Sequence, residues 1–181
     1  MFLLIVGMGL NFGVAASAWS TEGLAAPVAI TKRADDIWRT VERAAWTAEA
    51  DARVKSNGKV LYAVTFRSCP TCAAFKAAEY DKLMRAGVEV RWIMYARRDR
   101  DGKPRSKPGE RAMIAALWLD RDPQLMQRWW AAEDLEAFYN SPGLPPLADG
   151  DPRREGALAQ ARGFVDTLSG QFADNGLDLA I

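Results

Sequence analysis

The only two cysteines of this 181-residue chain stand three positions apart, in Cys69-Pro70-Thr71-Cys72. Two thiols at that spacing can close a small disulfide ring and reopen it, which is the chemistry of thiol–disulfide exchange. The attacking species is the thiolate, and a thiol with an ordinary pKa near 8.5 is only about 3% ionised at pH 7. A helix that opens just after Cys69 would correct this in two ways. The positive end of its dipole favours an anion by about 0.3–1 kcal/mol. Its unpaired first-turn N–H groups, those of Thr71 and Cys72 among them, can point at the sulfur. Pro70 has no N–H to lose and suits the first helical position. Cys69 is thus expected to be the more exposed, attacking thiol, and Cys72 the partly buried one that resolves the mixed disulfide. The other reading is a static disulfide that pins a corner. A two-residue loop stabilises little in the chain-entropy account, so the ring is a poor staple and a good redox couple.

The flanking sequence supplies the elements that must hold this pair. Residues 59–66 (KVLYAVTF) read as a buried strand, and 71–86 as a helix stopped by Gly87. Residues 88–96 (VEVRWIMYA) alternate Val88, Val90, Trp92 and Met94 against Glu89 and Arg91, the pattern of a second strand. Strand, helix and strand make a right-handed βαβ unit with the two strands parallel. Upstream, residues 35–54 place Trp38, Val41, Ala45, Ala48 and Ala52 at helical spacing behind an Asp cap. Downstream the pattern is helical. Pro108–Asp120 carries Met113, Ile114, Leu117 and Trp118, and both Asp122-Pro123 and Asp151-Pro152 pair an N-cap with proline at the first position. Residues 141–149 are turn-rich, and Asn175-Gly176 ends the last helix. Glu79, Tyr80 and Asp81 read as a solvated face of the cysteine-bearing helix.

Composition narrows the chemistry. Hydrophobic residues make up 49% and charged residues 26%, the balance of one globular domain. There is no histidine, which removes Cys-His and Ser-His-Asp catalysis, and two cysteines alone cannot close a zinc shell without a second chain. The basic stretch 97–111 (RRDRDGKPRSKPGER) is interrupted by aspartates and prolines and has no aromatic interleaving. It reads as a solvated loop rather than a nucleic-acid surface.

Residues 2–18 are apolar apart from Asn11 and Ser17, and Ala16-Ser17-Ala18 is a small-x-small site of the kind signal peptidase reads. The expectation is a leader over 1–18, a linker over 19–34 and the folded domain over 35–181. The n-region carries only the terminal amine, which leaves open an uncleaved anchor through residues 2–18. Either way the chain would be exported, and a periplasm-like compartment would suit the disulfide.

From Trp46 onward the residues resemble the catalytic domain of the DsbC/DsbG-type thiol:disulfide interchange proteins, exported members of the thioredoxin superfamily. The resemblance rests on AWTAEAD at 45–51, LYAVTFRSCPTCAAF at 61–75, the second strand, and a helical segment entered through AALWL at 115–119. It implies an α/β, thioredoxin-like βαβ core with a large helical insertion over 108–176, and catalytic Cys69 and Cys72 supported by Pro70, Thr71 and Arg67. The disulfide itself would be the only cofactor, with disulfide-containing proteins as substrates and a membrane-bound or soluble electron donor as partner. Where the family has an acidic residue and a proline, this chain has Arg67-Ser68, and a cation there would favour a nearby thiolate. Against the family pattern, this chain is expected to lack the cis-proline strand, its hairpin partner and the last helix, and also the N-terminal dimerisation domain. The resulting expectation is a two-stranded parallel sheet with an open edge. The activity would be that of a protein disulfide reductase or isomerase. The alternatives are a truncated copy with no independent role, or a redox-impaired binding or chaperone-like module using an exposed surface among the seven tryptophans.

Overall fold

The computed structural model describes residues 30–49 and 52–177, together with the backbone of Leu3–Gly7. In chain order the elements are β1 (Leu3–Gly7), α1 (Ala34–Arg43), β2 (Thr47–Glu49), β3 (Val60–Thr65) and α2 (Pro70–Phe75). A single π-helical turn, Lys76–Tyr80, carries α2 on into α3 (Asp81–Arg85). Then come β4 (Glu89–Met94), α4 (Pro108–Asp120), α5 (Pro123–Ala131), α6 (Leu135–Tyr139) and α7 (Pro152–Ala173). The chain is therefore mixed α/β, as the sequence pattern requires.

β3 and β4 pair in parallel over six residues, from Val60 opposite Glu89 to Thr65 opposite Met94, with α2 and α3 as the crossover. Gly87 ends α3 as expected. Its φ is +76°, and a Cβ there would lie 2.4 Å from the Lys55 carbonyl oxygen, so only glycine fits. Alternation along the two strands divides the core. Leu61, Ala63, Val90, Trp92 and Met94 pack on one face with Phe75 and with α4 and α5. Tyr62, Val64, Ile93 and Tyr95 pack on the other with α1 and α7. α4 is buried at every position from Glu110 to Leu117, because it is enclosed rather than laid on a surface.

Two expectations need correction. The helix over 35–54 is shorter: α1 stops at Arg43, and Ala44 turns the chain into extended geometry (φ −63°, ψ 160°). Residues 47–49 form β2, antiparallel to β4, with Thr47 opposite Trp92 and Glu49 opposite Val90. The Ala-rich run has good helix propensity, but β4 would otherwise leave unpaired backbone donors and acceptors along its outer edge, and that tertiary demand wins. The sheet is also not two-stranded. Its order is β1-β3-β4-β2, with β1 antiparallel to β3 from Leu3 opposite Val64 to Gly7 opposite Val60.

β1 lies within the stretch read as a leader. Residues 8–29, including the small-x-small site, and residues 178–181 fall outside the described residues. Among the described residues no helix is long and apolar enough to cross a membrane.

Candidate functional site

Cys69 and Cys72 form a disulfide where β3 hands over to α2, with their Cα atoms 5.3 Å apart. The Cys69 N–H donates to the Phe66 carbonyl at 3.1 Å, which folds residues 66–69 into a turn. Cys69 is then the N-cap of α2, in extended geometry (φ −79°, ψ 112°), and Pro70 takes the first helical position. The Cys72 N–H donates to Cys69 Sγ at 3.3 Å. A first-turn amide therefore points at the sulfur, as the sequence predicts; Thr71 makes no such bond to it, and its side chain is half-buried.

Exposure departs from the sequence reading. Cys69 is 3% exposed and Cys72 1%, so the two sulfurs are alike in being covered. A bulky disulfide reaches Cys69 only after the turn at residues 66–69 or its cover moves.

Arg67 is not aimed at the pair as a free cation. Its guanidinium donates to the carbonyls of Trp129, Trp130 and Ala132, at 3.1, 3.3 and 2.8 Å, closing the C-terminal end of α5. It also lies over the Trp130 ring, 5.0 Å from the centroid. Lys76, one turn beyond Cys72, lies 5.0 Å from the same ring and close over Tyr80 and Trp92. Trp130 is thus shared by two cations that flank the disulfide in sequence. Burial pulls the Lys76 ammonium below its ordinary pKa, and Arg67 adds to this, while Glu49 opposes it.

Below these cations lies a polar knot that the sequence did not reveal. Glu49, 5% exposed, accepts from the Tyr80 hydroxyl at 2.5 Å and from Trp92 Nε1 at 2.8 Å. Burial, then the Glu49 carboxylate, pushes the Tyr80 phenol far up, so it stays a donor. Tyr80 therefore faces the core, not solvent as read from the sequence. The π-helical turn that ends at this residue supplies the extra rotation that brings it there. Glu79 is half-buried, with 16% of its side chain exposed, and pairs with the exposed Lys82, so of the three only Asp81 is fully on the surface.

A second buried acid lies on the other side of the turn. Glu110, at the third position of α4, is 4% exposed. Its carboxyl faces the Ser106 hydroxyl and the backbone N–H groups of Arg67 and Lys107, with Arg97 nearby. Bonding back to Lys107 is the reach of a capping-box glutamate. Both Glu110 Oε1 and Arg97 Nε are buried without a hydrogen-bond partner, which costs about 1–3 kcal/mol each. Burial raises the Glu110 pKa, and its three hydrogen-bond donors and Arg97 only partly offset this. The fold therefore favours the neutral acid. That contribution is fully present below the ordinary carboxyl range and is lost as pH rises through the raised value. Glu110→Gln, which stays neutral, is expected to raise the melting temperature at pH 8 by about 3 °C, the shift that about 1 kcal/mol produces at this size. At pH 4 the two proteins should melt together; equal melting at both pH values would refute the assignment. The proline at 108 announces a helix start and makes position 110 a capping site. Its burial comes from tertiary packing, which has no local signal.

The basic stretch is solvated in part, as read. Arg98 pairs with Asp166 and Arg162 with Asp99 on the surface. Arg97 and Arg111 turn inward, Arg111 to Asp149 at 2.5 Å and to the Ser106 carbonyl at 2.9 Å. Of the tryptophans, Trp92 and Trp129 are fully buried and Trp38, Trp46, Trp118 and Trp130 half-buried, with Trp19 outside the described residues. Comparison of the chain with models of known protein families and with curated proteins returns no match.

Proposed function

We propose that this chain is an exported thiol-disulfide oxidoreductase that reduces or isomerises protein disulfides through Cys69 and Cys72. The observation that carries the reading is the disulfide at the helix start with the Cys72 N–H directed at Cys69 Sγ. In the reduced protein the Cys69 thiolate attacks a substrate disulfide. One substrate sulfur leaves as a thiolate and takes a proton from solvent, and the other stays bonded to Cys69. The Cys72 thiolate then attacks Cys69 Sγ, restoring the ring and releasing the second substrate thiol. Two electrons have passed to the substrate, and a dithiol donor must return them. The order of elements around Cys69 and the resemblance to DsbC/DsbG-type proteins support this reading, and the apolar leader with Ala16-Ser17-Ala18 supports export.

The binding-module alternative draws no support from the surface, since Leu147 is the one large exposed hydrophobic among the described residues. The direct test is reduction of a two-chain disulfide-linked polypeptide by dithiothreitol, followed by light scattering. The protein should accelerate the reaction over dithiothreitol alone. A rate equal to that of reductant without protein would refute the proposal.

A further inference from the structure

On the face of the sheet that packs against α1 and α7, these two helices leave a cavity of about 550 Å3 between them. That volume is within the range that holds a small organic molecule. Neither cysteine lines it, and Phe75 of the cysteine-bearing helix packs on the other face. The exchange steps above make no use of it.

One part of the lining is aromatic. The Trp118 and Phe164 rings lie with their centroids 5.9 Å apart. Trp118 Nε1 donates to the Met94 carbonyl at 2.7 Å, which fixes that ring in place. Another part is cationic. Arg33 and Arg39 both pair with Asp36, at 3.3 and 2.8 Å, and Arg33 also reaches Asp174 at 3.1 Å. Arg43, exposed in the last turn of α1, lines the same cavity, and its guanidinium has no ion pair or hydrogen bond among the described residues. Three cations thus meet two carboxylates, and the positive charge left over is that of Arg43. A single unpaired guanidinium suits a monoanion, and its planar fork matches a carboxylate through two parallel hydrogen bonds.

A third group of the lining wants a donor. Gln171 is 5% exposed, and its Nε2 donates to Thr40 Oγ1 at 3.0 Å. The Thr40 hydroxyl donates in turn to the Asp36 carbonyl at 2.8 Å, so its proton is already committed. Gln171 Oε1 is left buried without a partner. An N–H or O–H of a guest would remove that deficit. Gly163 of α7 also lines the cavity, and a Cβ there would meet nothing within 4 Å. The space beside it is open.

We propose that the cavity between α1 and α7 binds a small aromatic carboxylate, with its ring against Trp118 and Phe164, its carboxylate on Arg43 and a donor on Gln171. This site stands apart from Cys69 and Cys72, and the exchange reading does not enter its test.

The full chain is titrated with indole-3-acetate and followed by 1H–15N NMR. Shifts should concentrate at Arg43, Gly163 and Thr167, with a Kd of about 1 mM, the affinity expected of a ligand with about a dozen heavy atoms. Arg43→Gln should weaken binding about fivefold, the worth of one exposed ion pair. Gly163→Leu puts a side chain into the open space and should abolish binding. Its melting temperature should not fall, because leucine is the better helix former. Acetate carries the charge without the ring, and tryptamine carries the ring with the opposite charge; neither should give localised shifts. Shifts from either that match those of indole-3-acetate would overturn the proposal. So would undiminished binding in either folded variant, or no localised shift at about 10 mM indole-3-acetate.

Discussion

Trp92→Ala is expected to destabilise the fold by about 4 kcal/mol, the cost of emptying a buried indole site. That is a large share of the roughly 5–15 kcal/mol that holds a domain together. In a chain of this size the melting temperature should fall by about 12 °C. The ring is 1% exposed and lies within 5.3–6.4 Å, centroid to centroid, of Phe75, Tyr80 and Trp130. Its Nε1 is one of the two donors holding Glu49. Truncation therefore leaves a cavity beneath α2 and takes one hydrogen bond from a buried carboxylate. Trp92→Phe separates the two effects. It keeps most of the packing and loses the N–H, and should cost about 1–2 kcal/mol. Chemical denaturation of the three proteins measures both. A cost under about 1 kcal/mol for the alanine variant would refute the central place given to this ring.

Cys69→Ser is expected to reduce disulfide exchange to the rate of the reductant alone, because a serine hydroxyl stays protonated at neutral pH and is no nucleophile toward sulfur. Cys72→Ser should behave differently. The first attack survives and the resolving step does not, so a covalent adduct between Cys69 and the substrate accumulates and is visible by mass. The asymmetry tests the division of labour rather than the presence of a disulfide. If an adduct forms on Cys72 in Cys69→Ser and none forms on Cys69 in Cys72→Ser, the roles are reversed. The near-equal burial of the two sulfurs makes this a question that exposure alone does not answer.

The parallel pair β3 and β4, the helix between them and the capped starts of α5 and α7 were legible because their signals are local. Alternation fixes a strand face, Asp before Pro fixes a helix start, and Gly87 fixes its end. β2 was misread because Thr47, Ala48 and Glu49 follow a good helix, and only the unsatisfied edge of β4 makes them a strand. Within the candidate site the sequence indicated the cysteines, Pro70 and the amide at Cys72. It did not indicate that Arg67 donates to carbonyls of α5, a helix that begins more than fifty residues downstream. Glu49 and Glu110 escaped for the same reason. A buried acid differs from a surface one only in what folds over it.

Leu3–Gly7 pairs with β3, so on the exported reading proposed above, loss of the leader would change the sheet itself. A peptidase cutting after Ala18 would remove a whole strand along with the leader. The processed chain would then present Val60–Val64 as an unpaired ladder, the kind of edge that recruits another extended chain. On that reading the same peptide, while uncut, would serve as address and as seal. Timing of cleavage would thus decide when the edge opens, and a chain cut too early would meet its neighbours with that edge bare.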